Sequence, residues 1–237
     1  MGDALDLLGL GLIKFIERCS RLFRFFGLAS IWLFRPPFSH KTFLKQSERF
    51  IVETSFPLGV AALFLGSLFP LLKVPSGLSR DVIPAFVGIL AALRAGTAIT
   101  AELGRMRVTE QIDAMEIVDM NSIQILVSPR ILAGLILVPV MTLCFLVTVG
   151  SSAYLSGVHF LKMNSQRYQA LLIEFFSLDD ICAGLLRAGA FGAILSTVGS
   201  YEGYFAQGGL ASINYAVARA LIITTTLILG VNYLFLP

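Results

Sequence analysis

Residues 93–116 read LRAGTAITAELGRMRVTEQIDAME, an apolar helical run that carries Arg94 and Glu102 and then turns polar. Hydrocarbon resists charge, so ionisable residues this close to an apolar span mark a site that handles something rather than one that merely crosses. The rest of the 237-residue chain supplies the apolar context. It is 56% hydrophobic and only 14% charged, against about a quarter charged in soluble domains. With a mean hydropathy of +0.82, the composition predicts an all-α integral membrane protein.

Outward from that stretch, about 20 apolar residues are needed per crossing, and five segments qualify. They are 50–72, 82–101, 131–155, 181–198 and 220–236. The first contains Glu53, Pro57, Gly59, Gly66 and Pro70, which leaves open one kinked helix or a broken pair. Ahead of it, Leu5, Leu8, Leu12, Phe15, Ile16, Phe23 and Phe26 recur at helical spacing, with Lys14, Arg18, Arg21 and Arg24 on the remaining surface. That pattern predicts an amphipathic interfacial helix, stopped by Pro36-Pro37. The chain is thus expected to divide into an interfacial and approach region, 1–49, and a membrane domain, 50–237.

Charge placement sets the expected orientation. With the N-terminus inside, Lys14, Arg18, Arg21, Arg24, Arg35, Lys41, Lys45, Arg49, Arg105, Arg107, Arg130 and Arg219 fall on the cytoplasmic side, and Lys73, Arg80, Lys162 and Arg167 outside. This bias places the N-terminus in the cytoplasm and the C-terminus outside. MGDALD at the start has neither a basic n-region nor a myristoylation pattern, so no cleaved signal is expected.

Three features of the central stretch point to work. Gly88, Ala92, Gly96, Thr100 and Gly104 repeat every four residues and form a ridge of small side chains, suited to intrachain packing, a subunit interface or a cavity wall. Arg94 and Glu102, eight residues apart, fall about 80° from each other around an α-helix and are expected to border one cavity. Arg187, deep in GLLRAGAFGAI, is a candidate counter-charge or headgroup contact. Between 105 and 121, Met106, Ile112, Met115 and Val118 alternate with Glu110, Asp113, Glu116 and Asp119, which predicts a short amphipathic cytoplasmic helix docking on a protein. Ser128 and Pro129 are the expected cap and first turn of the next span.

The exclusions are equally definite. No G-x-x-x-x-G-K-[ST] loop is present, so the chain itself is not expected to hydrolyse ATP, and no G-x-S-x-G, H-E-x-x-H or paired-cysteine metal motif occurs. His40 and His159 lie far apart in sequence; no metal and no nucleic acid is expected. Cys19, Cys144 and Cys182 lack disulfide or metal spacing and are expected to be buried small hydrophobes.

The run 93–116, followed by SPRILAG at 128–134, resembles the MlaE (YrbE) permease family, membrane subunits of ABC transporters that work with MCE-domain proteins on lipids. RDVIP at 80–84 and EGYFAQGGLASINYAVARALI at 202–222 are similar to further family segments. The resemblance implies an inner-membrane homodimer that moves phospholipid between membrane and a periplasmic MCE protein, with a separate ATPase using the ATP and no cofactor bound by this chain. It makes Glu102 the acidic residue beside a lipid cavity. It makes 104–120 a coupling helix whose Arg105, Arg107, Glu110, Gln111, Asp113 and Glu116 meet the ATPase. Asn232 stands where some relatives carry aspartate, and the connection 69–80 is shorter than the family's. Two other classes compete: an ion-driven carrier with an Arg94–Glu102 relay, and a membrane scaffold that recruits a partner without transporting.

Overall fold

The computed structural model describes residues 20–22, 24–29, 31, 40–72, 78–163, 166 and 177–235, and among these it contains helices and no strand. Its principal helices are α1 (His40–Leu72), α2 (Leu78–Ala91), α3 (Thr97–Val108), α4 (Gln111–Ile117), α5 (Ser128–Leu155), α6 (Leu178–Tyr204) and α7 (Leu210–Leu234). Among the described residues five spans are long and apolar enough to cross a membrane: Thr42–Pro70, Arg80–Val108, Ile123–His159, Leu178–Tyr204 and Leu210–Leu234. The protein is an all-α, multi-pass membrane protein. The expected helix before residue 20, its stop at Pro36-Pro37, Cys19 and residues 73–77 of the short connection lie outside the described residues.

The first span is one helix. Pro57 and Pro70 lie inside it, and the approach residues 40–49 belong to the same helix, which therefore runs through position 49 without a boundary. Proline leaves a carbonyl unpaired but does not end a helix that neighbours hold. Between the two prolines α5 holds this helix, Ser152 Oγ donating to the Ala62 carbonyl of α1 at 3.4 Å.

The second span is α2 and α3 joined by a π turn at Ala92–Gly96. The Thr97 amide reaches back to the Ala92 carbonyl, which frees the carbonyl of Leu93. The Thr97 hydroxyl takes that carbonyl at 2.7 Å and that of Arg94 at 2.9 Å, so no backbone acceptor is stranded in apolar surroundings. A second π turn, Ile123–Val127, precedes α5. The helix thus starts before Ser128, and the expected Ser128 cap is not one: its hydroxyl donates to the Ala29 carbonyl at 3.0 Å.

Helix α6 is the centre of the bundle, packed on α2, α3, α5 and α7. Its crossing with α5 is backbone against backbone. A Cβ built on Gly134 would stand 2.6 Å from the Gly192 carbonyl oxygen, so only glycine permits this approach. The ridge on α2 and α3 is used in the same way. Gly88 faces Phe191 of α6 and Ile228 of α7, Gly104 faces Ile213 and Ala206, and a Cβ on Gly203 would lie 2.6 Å from the Thr100 carbonyl. Ala92, Gly96 and Thr100 are likewise buried.

Near the N-terminus, Leu22, Phe25 and Ala29 face the bundle while Arg21 and Arg24 are exposed. Phe26, expected on the apolar face, is exposed, because the buried stripe follows 22, 25 and 29. Phe25 is held by an aromatic cluster, its ring centroid 5.5 Å from Tyr201 and 6.0 Å from both Tyr204 and Phe205. Cys144 and Cys182 are free and exposed on outward faces of apolar helices rather than buried.

Candidate functional site

Two charged clusters occupy opposite ends of the bundle. At the end carrying residues 109–122, Arg49 and Glu53 are one turn apart on α1 and pair at 3.0 Å. Glu102, near the end of α3, places Oε2 3.2 Å from Arg49 Nη1 and 3.1 Å from Arg130 Nη2. Arg130 is in the first turn of α5, its side chain only 4% exposed, and its Nη1 donates to the Leu126 carbonyl at 2.5 Å. Two cations and two carboxylates from three helices thus sum to zero, as charge near hydrocarbon requires.

The cluster borders a small, open cleft of about 10 Å³ between α1 and the second span, lined by Gln46, Arg49, Phe50, Glu53, Ala95, Ala98, Ile99 and Glu102. Arg94 is not among them. It sits in the π turn and is exposed. The expected common face with Glu102 assumed an uninterrupted α-helix, and the wider turn changes the phase between them. The structure therefore does not join Arg94 and Glu102 into a relay.

Arg187 lies in the other cluster. Its guanidinium pairs with Asp81 in the first turn of α2, donates to the Arg80 carbonyl at 3.2 Å and to the Phe235 carbonyl at 2.6 Å, and lies 5.7 Å from the Phe235 ring centroid. The side chain is 5% exposed. It ties the start of α2, the body of α6 and the end of α7 together.

Beyond the Glu102 cluster, the short polar helix is narrower than expected. Residues 104–108 complete α3, a turn at Thr109–Glu110 follows, and only Gln111–Ile117 forms the separate helix α4. Left-handed residues bracket it, Glu110 at φ 58° and Asp119 at φ 60°. Ile112 is fully buried beneath it. Asp113 accepts from Arg107 Nη1 at 2.7 Å, and Arg107 in turn stands 5.9 Å from the Tyr204 ring centroid. Glu116 accepts from the Tyr204 hydroxyl at 2.8 Å and from Ser122 at 3.2 Å. Two of the acidic groups expected to face a partner therefore brace α4 against the bundle. The outward surface carries Arg105, Glu110 and Gln111, followed by apolar Ile117, Val118 and Met120, all exposed.

Sequence reasoning had counted Arg49 and Arg130 only as topology charges. The available signal was depth: Glu102 precedes and Arg130 follows the 109–122 connection at similar distances, which brings opposite charges level on neighbouring spans. Glu202, 4% exposed and 3.3 Å from Arg219, was also missed as a buried charge.

Residues 72–236 match the permease MlaE family model. The chain belongs to the MlaE permease family. Among its relatives, a probable ABC transporter permease protein of Rickettsia bellii is 33% identical over 230 residues, 90% of this chain and 88% of the relative. The intermembrane phospholipid transport system permease protein MlaE of Haemophilus influenzae is 27% identical over 162 residues, 68% of this chain and 62% of the relative. The chloroplastic protein trigalactosyldiacylglycerol 1 of Arabidopsis thaliana is 32% identical over 151 residues, 62% of this chain and 42% of the relative. In this MlaE-family permease the matched region runs from the end of α1 to the end of α7 and so includes Glu102, Arg130 and Arg187. Arg49 and Glu53 lie ahead of it.

Proposed function

We propose that this permease is the membrane subunit of an ABC transporter that moves phospholipid between the inner membrane of a double-membraned bacterium and a periplasmic MCE-domain carrier. The carrying observation is the neutral cluster of Arg49, Glu53, Glu102 and Arg130 beside an open cleft. A lipid headgroup needs a few placed charges and its chains an apolar wall, and the cleft offers both. The Haemophilus relative, a permease of an intermembrane phospholipid transport system, supports phospholipid as cargo.

On this reading the permease works as a homodimer. Helix α7 suits a shared face, since Ile222, Leu229 and Leu234 leave it largely uncovered within one chain. A separate ATPase meets α4 from the cytoplasm, where the charge bias puts the 109–122 connection. The exposed Arg105, Glu110, Gln111 and Ile117 are the contacts available to it. Pull on α4 reaches α6 through Glu116 and Tyr204.

The test is transfer of labelled phospholipid between reconstituted donor and acceptor vesicles. Transfer is expected only with ATPase and ATP present. Transport by this chain alone under an ion gradient contradicts the proposal, as does a complex that binds the ATPase and moves no lipid.

A further inference from the structure

On α1, Arg49, Glu53, Phe56 and Val60 are spaced i, i+4, i+7 and i+11 and so form one stripe. The first two are a solvent-accessible ion pair; Phe56 is 78% exposed and Val60 is also exposed. The stripe spans about 16 Å at 1.5 Å per residue. It passes from ions to hydrocarbon in the order of a phospholipid lying along it. The facing wall at Ala95 and Ala98 is built from small side chains, which leaves the cleft open.

Resting on the lipid-permease reading, we infer that this cleft selects zwitterionic phospholipids bearing a primary amine, with the lipid phosphate on Arg49 and the ammonium on Glu53 and the open side of Glu102. Charge balance carries the choice. Arg130 is buried behind Glu102, so among the described residues Arg49 is the only lining cation. A net-anionic headgroup that took Arg49 would leave Glu53 unpaired beside a phosphate. A zwitterionic headgroup exchanges pairs: Arg49–Glu53 opens, Arg49–phosphate and Glu53–ammonium form, and the cleft stays neutral. The pair that must open is half-exposed, and such pairs cost little to break. Carboxylates accept hydrogen bonds, which a primary ammonium donates and a quaternary one does not.

Native mass spectrometry of the full chain, purified in detergent and offered equal phosphatidylethanolamine and phosphatidylglycerol with matched acyl chains, tests this. Phosphatidylethanolamine is expected to be retained about tenfold over phosphatidylglycerol, the worth of one charge-assisted hydrogen bond. Glu53→Gln abolishes that preference, Glu53→Asp keeps it, and Arg49→Ala lowers retention of both lipids. Excess glycerophosphoethanolamine leaves the lipid bound, because the Phe56–Val60 part of the stripe also holds it. Equal retention by the wild-type chain overturns the inference, as does a preference that survives Glu53→Gln. Displacement by the soluble headgroup overturns its lipid form. Lipid transfer measured on the assembled transporter is independent: selective binding without transfer sinks the permease reading alone, and transfer without selectivity sinks the inference alone.

Discussion

The clusters around Arg187 and Glu102 contain the same kinds of ion and are packed in opposite ways. Around Arg187 the space is filled: a carboxylate, two carbonyls and an aromatic ring surround one buried guanidinium. Around Glu102 partners are shared, since Arg49 serves both Glu53 and Glu102, Glu102 serves both arginines, and one side opens to a cleft. A filled cluster holds helices in place. A shared, open one exchanges partners at small cost, which is what binding and release require. Sequence placed both arginine and glutamate at membrane depth; geometry separates the filled cluster from the open one.

The largest expected effect is at the filled cluster. Arg187→Ala leaves the Asp81 carboxylate without its buried partner and is predicted to destabilise the protein by about 3–5 kcal/mol. The readout is the unfolding midpoint in detergent, with partial recovery in the Arg187→Ala, Asp81→Ala double variant. Unchanged stability would make Arg187 something other than a fastener. Tyr204→Phe comes next: it removes a hydroxyl donated to the Glu116 carboxylate and is expected to cost about 1.5–3 kcal/mol. A double-mutant cycle with Glu116→Gln should show coupling above about 0.5 kcal/mol, and additivity would mean that α4 is not braced through this contact. Arg49→Ala is the mildest for stability, at most about 1 kcal/mol, because its pairs are exposed. A loss as large as that of Arg187→Ala would erase the distinction between the clusters.

Much of the fold was legible because bilayer thickness fixes span length and the apolar segments announce themselves. The ends of the spans were not. Residues 40–49 and 104–108 are polar yet helical, since a helix that emerges from hydrocarbon continues until a turn stops it, here at Thr109–Glu110. The π turn at Ala92–Gly96 left no mark that hydropathy detects, and it moved Arg94 out of register with Glu102. Glu102 was legible as a charge where charge is costly. Its partners were not, because pairing across α1, α3 and α5 depends on tertiary approach that periodicity within one helix does not contain. Arg187 stood out for its depth as a counter-charge or a headgroup contact, but its partner was not legible, since Asp81 stands 106 positions away in sequence. The acidic face of α4 was legible as a pattern, but only packing shows Asp113 paired with Arg107 and Glu116 with Tyr204.

The central claim is that the open cluster does the work and the filled one holds the frame. ATP-dependent phospholipid transfer by the reconstituted transporter carrying Glu102→Gln tests it most directly. The account predicts a loss of about tenfold or more in transfer by protein that is still folded at the assay temperature, together with a lowered unfolding midpoint, because the buried Arg130 loses its carboxylate. Transfer at the unmodified rate by a properly folded Glu102→Gln variant would contradict it.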